Sequence, residues 1–153
     1  MIRRTLIFIA AAALAGVSAG STFAAETALV EYRIVDSQIP AALTKEPGDP
    51  VRGKTAVLSR EGGNCFLCHT VPDAGDTPLG NIGPPLAGVG KRLSAGQLRL
   101  RLVDSTRINR ASVMPAYYRI DGLQRVASAY AGKPLLTAQQ IEDVIAYLLT
   151  LRD

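Results

Sequence analysis

The sequence contains few of the residues that commonly build metal and redox sites. Its 153 residues include two cysteines, one histidine, two methionines and no tryptophan. A structural zinc ion needs about four Cys or His ligands, so a tetrahedral zinc centre is excluded. No basic tract with interleaved aromatic residues indicates nucleic-acid binding. There is also no internal repeat and no low-complexity segment. The remaining chemistry must come from very few side chains.

Residues 1–24 are predicted to be a signal peptide. Two arginines form a basic start, residues 6–17 are apolar, and small residues lead to the preferred cleavage site after Ala24. Cleavage after Ala19 is the alternative. The apolar stretch is shorter than the ~20 residues that span a bilayer, and no cysteine follows it for lipid attachment. The sequence therefore predicts export to the periplasm.

Both cysteines and the only histidine lie in one pentapeptide, Cys65-Phe66-Leu67-Cys68-His69. This C-x-x-C-H pattern is the attachment signature of c-type haem. Each of the two thiols can add to one vinyl group of the porphyrin, and the adjacent imidazole is then placed beneath the iron. The pattern predicts Cys65 and Cys68 as covalent haem attachment residues and His69 as the proximal iron ligand.

The same cysteines have other interpretations. A redox-active C-x-x-C normally lies in a thioredoxin-like βαβ pattern, which does not surround this motif. A simple structural disulfide remains an alternative, because exported proteins often contain one. The motif favours haem over both alternatives, because only haem attachment requires a histidine directly after the second cysteine.

Met114 is the candidate for the second axial ligand of the iron. A thioether is a soft ligand suited to haem iron, and His/Met ligation raises the reduction potential. The other methionine, Met1, belongs to the signal peptide, and a second histidine ligand does not exist in this chain. The chain between His69 and Met114 is long enough to pass around the haem edge. The alternative is that Met114 only fills space in the core.

Capping signals predict where three helices begin. Asp49 precedes a proline at the first helical position, and capping boxes begin at Ser94 and Thr137. Gly53 lies inside the first of these helices, where glycine costs about 1 kcal/mol relative to alanine. A close helix crossing explains that cost, and Tyr147 on the last helix is the candidate to pack over Gly53. The predicted helices cover residues 50–60, 95–103 and 138–151.

Two other segments have predicted roles. The Pro/Gly-rich loop at residues 83–90 is suited to hold a backbone carbonyl against the proximal imidazole, which usually donates its second N–H to such a group. Leu86 in this loop is placed to pack on the porphyrin; an ordinary surface turn is the alternative. Residues 25–48 are predicted to be an arm that lies on the domain or on a partner. A disordered terminus is the alternative for the arm.

The order of these features resembles the class I cytochromes c across residues 49–153: helix, C-x-x-C-H, G-P-x-L-x-G, long loop, Met-Pro and terminal helix. The resemblance implies an all-α class I cytochrome c fold, preceded by the N-terminal extension 25–48. It also implies that the first and last helices cross through Gly53 and Tyr147. In this family the carbonyl that orients the imidazole maps onto Pro84.

Three runs in the second half are similar to the SoxX family, the small monohaem subunits of the SoxAX cytochromes of bacterial sulfur oxidation. They are residues 98–104, 113–123 and 132–144. This resemblance implies a heterodimer with a SoxA-like haem subunit that couples thiosulfate oxidatively to a cysteine of the SoxYZ carrier. The chemistry is placed at the SoxA haem, so the chain is expected to have no catalytic residue and no activity alone.

The haem of the SoxX-like subunit is expected to pass electrons to an acceptor cytochrome c. Two other functions remain open at this point. One is a free-standing periplasmic class I cytochrome c that carries electrons to an oxidase. The other is a haem enzyme or gas sensor with an open iron site.

Overall fold

A computed structural model describes residues 29–72 and 74–153. The predicted signal peptide and the first residues of the arm lie outside the described residues. Within the described ranges the regular structure is helical, and one isolated antiparallel bridge joins Val35 to Gln38. The α-helices are α1 (Pro50–Leu58), α2 (Val89–Arg92), α3 (Ala95–Asp104) and α4 (Ala138–Thr150). Short 3₁₀ turns cover Cys65–Leu67, Ser105–Arg107 and Ser128–Tyr130.

The predicted helix starts are confirmed by their caps. The Asp49 carboxylate accepts hydrogen bonds from the second and third amide groups of α1, and both capping boxes are formed, at Ser94 and at Thr137. The predicted end of α1 near Arg60 is wrong by two residues. The chain turns away after Leu58, because the amide of Gly63 donates to the carbonyl of Ala56 over 2.8 Å and closes a loop there.

Helices α1 and α4 cross at the position that the sequence predicts. A Cβ atom on Gly53 would overlap the backbone oxygen of Asp143 and would lie 2.9 Å from Cβ of Tyr147. Only a residue without a side chain allows the two backbones to approach this closely. The expectation that the helices cross through Gly53 and Tyr147 is therefore confirmed.

Asp143 reinforces this crossing through its carboxylate. It accepts hydrogen bonds from the Asp49 amide at 2.8 Å and from Nε and Nη2 of Arg52 at 2.8 and 2.9 Å. Nε2 of Gln139 donates to the same carboxylate over 3.0 Å. Burial opposes ionisation of Asp143, but the hydrogen bonds from Arg52, Asp49 and Gln139 outweigh it and hold its pKa below the ordinary value.

The core lies between α4 and the elements that cover it. On α4 the side chains of Ile141, Val144, Ile145 and Leu148 are buried, and so are all leucine and valine side chains of α3. In the described residues, no helix is long and apolar enough to cross a membrane. The side chains that are almost completely inaccessible are Ile39, Val57, Leu100, Val103, Leu136, Ile141 and Val144.

The described part of the arm, residues 29–48, lies on the domain itself. Ile39 and Leu43 are buried in the core. The amide of Ile39 donates to the carbonyl of Gly96 over 3.0 Å, and the amide of Leu43 donates to Oε1 of Glu142 over 2.8 Å. Of the two predicted locations for the arm, the structure therefore shows the one on its own domain.

Candidate functional site

The C-x-x-C-H segment forms a single tight turn. Asn64 before it adopts a left-handed conformation with φ of 51°, and the amides of Cys68 and His69 both donate to the carbonyl of Cys65, over 3.1 and 2.9 Å. Both cysteines are free thiols, so the structural-disulfide alternative is not what the structure contains. Cys65 is buried, whereas Cys68 is partly exposed. The turn thus presents two separate thiols and one imidazole.

The imidazole of His69 is oriented by the Pro/Gly-rich loop at residues 83–90. Its Nδ1 atom lies 2.7 Å from the carbonyl oxygen of Pro84. A carbonyl can only accept, so Nδ1 carries the proton and donates it. With the proton on Nδ1, the tautomer that binds a metal is the one in which Nε2 supplies the free lone pair. The structure brings His69 and Pro84 together as the resemblance implies.

Gly83 allows the imidazole of His69 to pack directly against the backbone of this loop. A Cβ atom on Gly83 would lie 2.6 Å from Nδ1 and 2.7 Å from Nε2 of His69, inside van der Waals contact. The amide of Gly83 also donates to the carbonyl of Cys68 over 2.7 Å. Gly83 belongs to the loop predicted from the sequence, but the contact of its backbone with the imidazole ring was not predicted. The glycine before Pro84 was the available signal.

Leu86, which lies in this loop, is buried in the core, and its amide donates to the carbonyl of Thr70 over 3.0 Å. Its contact with a porphyrin stays a prediction. Met114 is half-buried and packs against the same core. It precedes Pro115, which restricts it to an extended backbone. Its role as iron ligand also stays a prediction.

Tyr117 connects the loop that contains Met114, here called the methionine loop, to the C-x-x-C-H turn at residues 65–69. This contact was not predicted from the sequence. The Tyr117 hydroxyl donates to the carbonyl of Gly63 over 2.7 Å, and the residue is buried beside the thiol of Cys65. Burial raises the pKa of the Cys65 thiol to about 11, although a hydrogen bond with Tyr117 acts in the opposite direction. Only the short distance of Tyr117 from Met114 in the sequence hinted at this contact.

These donors fit a covalently attached haem. Two unlinked thiols suit the two vinyl groups, Nε2 of His69 is left to bind iron, and a thioether is supplied by the loop of Met114. Gly83 has no side chain, and the imidazole ring of His69 occupies the space that a side chain at this position would fill. Among the described residues, no group of three or more His, Cys, Asp and Glu side chains is arranged to hold a metal ion.

A helical domain with this attachment turn and this oriented imidazole defines a c-type cytochrome. The comparisons agree, since the family model for cytochrome c matches residues 50–152. The chain therefore belongs to the cytochrome c family. It has the all-α class I cytochrome c fold, carries covalently bound haem c and transfers electrons.

Solved structures give a more specific likeness. The chain is 38% identical to a chain in the crystal structure of SoxXA from P. pantotrophus, with a TM-score of 0.74, covering 84% of this chain and 100% of that one. The resemblance to the SoxX family is confirmed by this similarity. The c-type cytochrome SorU from Sinorhizobium meliloti is 25% identical, with a TM-score of 0.43, covering 67% of this chain and 90% of that one. No curated protein matches the chain.

Proposed function

We propose that this chain is the electron-transfer subunit of a periplasmic SoxAX-type cytochrome. The observation that carries the proposal is the 38% identity to a SoxXA chain over that chain's whole length. Such a subunit forms a heterodimer with a SoxA-like haem subunit. Export through the signal peptide at residues 1–24 brings the chain to the compartment where c-type haem is attached.

The residues of the site have separate roles in this proposal. Cys65 and Cys68 would hold the haem through two thioether bonds, and His69 and Met114 would bind its iron. Haem iron, when bound, supplies a one-electron couple between the ferric and ferrous states. The Pro84 carbonyl fixes the imidazole of His69 and increases its basicity, since it accepts the Nδ1 proton.

This ligand set directs the chain toward outer-sphere electron transfer. If both His69 and Met114 bind the iron, a substrate would have to displace Met114 to reach it. The described residues offer no second cysteine or histidine cluster that sulfur chemistry would use. The chain therefore assists oxidative coupling of thiosulfate to a SoxYZ cysteine, the L-cysteine S-thiosulfotransferase reaction, without catalysing it alone. It passes the released electrons to an acceptor cytochrome c.

Reconstitution tests this function. The haem-loaded chain, a SoxA subunit and SoxYZ should together give thiosulfate-dependent reduction of an acceptor cytochrome c. The chain alone and the SoxA subunit alone are the controls. Turnover of thiosulfate by the single chain at the rate of the pair would contradict the proposal.

A second candidate function is a free-standing carrier, which the match of the cytochrome c family model to residues 50–152 also supports. The two candidate functions differ in whether the chain forms a stable complex with another haem subunit. Co-elution with a larger haem subunit during purification of the native protein supports the SoxAX-type subunit, whereas elution as a monomer supports the carrier. An open iron site is a third possibility, and the Met–iron charge-transfer band at about 700 nm in the ferric spectrum excludes it when present.

A further inference from the structure

Two serines enclose the backbone of Met114. Oγ of Ser105 lies 3.0 Å from the carbonyl oxygen of Met114 and 2.8 Å from Oγ of Ser112. The amide of Met114 donates to Oγ of Ser112 over 3.3 Å. The three contacts form a closed ring of hydrogen bonds, which we call the serine ring. It includes both backbone polar groups of Met114.

The number of protons fixes the direction of every bond in the serine ring. Each serine hydroxyl has one proton to donate and two lone pairs to accept. The carbonyl of Met114 can only accept, so Ser105 donates its proton to that carbonyl. Ser112 must then donate to Ser105, while its oxygen accepts the amide proton of Met114. Each serine donates once and accepts once, and bonds connected in this way polarise one another.

Ser105 is a fixed anchor for this ring. It follows the last residue of α3 directly, is 6% exposed, and its carbonyl accepts the amides of Ile108 and Asn109, each over 3.1 Å. Residues 107–111 are exposed, and the amides of Ser112 and Ala111 donate to the carbonyl and Oδ1 of Asn109 over 2.9 and 3.0 Å, contacts that do not involve Met114. Beyond Met114, the chain is tied again where the amide of Tyr117 donates to the carbonyl of Leu102 over 3.0 Å. The serine ring is thus the upstream attachment of Met114 to α3.

We propose that Ser105 and Ser112 are positioning residues that hold Met114 on the haem iron, an inference that rests on the proposed ligation by Met114. A thioether on a loose loop loses backbone entropy each time it binds the iron. The serine ring removes that cost, because the backbone of Met114 is already ordered.

Ligand competition in the haem-loaded protein tests this role. Imidazole competes with the thioether for ferric iron, so a looser Met114 lowers the apparent Kd for imidazole. Ser105→Ala and Ser112→Ala each remove two of the three hydrogen bonds and should each lower that Kd by at least roughly 2-fold, the smallest effect expected from one lost hydrogen bond. The double variant should show less than the product of the two effects, because the first substitution already opens the ring. Ser112→Thr keeps the hydroxyl and should restore the original Kd.

The exposed Ser128→Ala variant is the matched control. If the apparent Kd of both alanine variants equals that of the control, the ring has only a structural role and the inference is overturned. If Ser105→Ala does not give haem-loaded protein, Ser112→Ala decides, because Ser112 is only half-buried. If Met114→Ala itself leaves the imidazole Kd and the band at about 700 nm unchanged, the proposed ligation fails. The inference then fails with it, and this result differs from a failure of the serines alone.

Discussion

Arg99 and Glu142 form a buried two-point ion pair between α3 and α4. Nε of Arg99 lies 2.7 Å from Oε1 of Glu142, and Nη2 lies 2.8 Å from Oε2. Both side chains are almost fully buried, at 4% and 6% exposure. The same pair holds the arm, because Nη1 of Arg99 donates to the carbonyl of Ile39 and Oε1 of Glu142 accepts from the amide of Leu43. One charge pair therefore joins three segments that are distant in sequence.

The first prediction is that Glu142→Leu destabilises the haem-loaded protein by about 3–5 kcal/mol, because it leaves the Arg99 charge buried without its partner. Urea unfolding measures this. The double variant Arg99→Met/Glu142→Leu should recover part of the loss, since no unpaired charge remains. Removal of the exposed Lys91 side chain by Lys91→Ala should change the unfolding free energy by only about 0.5 kcal/mol. A loss below about 1 kcal/mol in Glu142→Leu would contradict the assigned role of the pair.

The second prediction concerns the crossing of α1 and α4. Gly53→Ala should destabilise the protein by about 1–3 kcal/mol, although alanine is the better helix former, because the new methyl group overlaps the Asp143 backbone. Thr55→Ala on the exposed face of α1 is the control and should be nearly neutral or slightly stabilising. Thermal and urea unfolding of both variants give the comparison. A Gly53→Ala protein as stable as the control would show that the helices can separate without cost.

Some features of this fold were predictable because their causes are local. Asp49, Ser94 and Thr137 cap helices through atoms only two or three residues away, so the sequence predicts the helix starts. The end of α1 depends instead on a loop that returns to Ala56, and no local pattern indicates it. The order of motifs and the resemblance to class I cytochromes c located Pro84 and the Gly53–Tyr147 crossing.

Other features depend on contacts between distant residues, which the sequence pattern does not reveal. Arg99 lies within a leucine-rich helix, and the sequence pattern alone predicts an exposed charge at this position. It is buried because its guanidinium group contacts Glu142 and the arm. Tyr117 reads as an ordinary aromatic residue of the methionine loop. Its hydroxyl contacts the carbonyl of Gly63 because the fold brings together two segments that are distant in sequence. Periodicity and capping rules describe neighbours along one element and do not specify such pairs.

The third prediction is a loss of stability in acid that depends on Asp143. Its pKa is lowered in the folded state, so its contribution to stability is complete above the unfolded pKa of about 3.9 and is lost as the pH falls through the folded value. Asp143→Asn should therefore be less stable at pH 7, with a difference from the unaltered protein that shrinks below about pH 4. The unfolding free energy measured from neutral to acid pH gives both curves. Asp121→Asn, an exposed change, is the control, and a difference for Asp143→Asn that does not depend on pH would contradict the prediction.

The fourth prediction is that the haem is attached through Cys65 and Cys68, the only cysteines of the chain. Acid–acetone extraction removes non-covalent haem and should leave the colour with the polypeptide. Cys65→Ser should leave a single thioether bond and shift the pyridine haemochrome band, because one vinyl group stays unsaturated. A colourless polypeptide after extraction of the unaltered protein would disprove attachment.

The last prediction concerns Gly83 and the imidazole of His69. Gly83→Ala places a methyl group where the ring now lies, so the ring must shift and the hydrogen bond from Nδ1 to the Pro84 carbonyl must lengthen. That hydrogen bond makes the imidazole a stronger donor, and stronger donation favours the ferric state. The reduction potential should therefore rise, by about 60 mV for each tenfold loss of ferric over ferrous stabilisation. Ala87→Ser, an exposed change four residues further along the same loop, is the matched control and should leave the potential unchanged. Redox titration and the ferric electron paramagnetic resonance spectrum measure the effect. If both stay unchanged in Gly83→Ala, the loop yields to the methyl group and does not hold the imidazole.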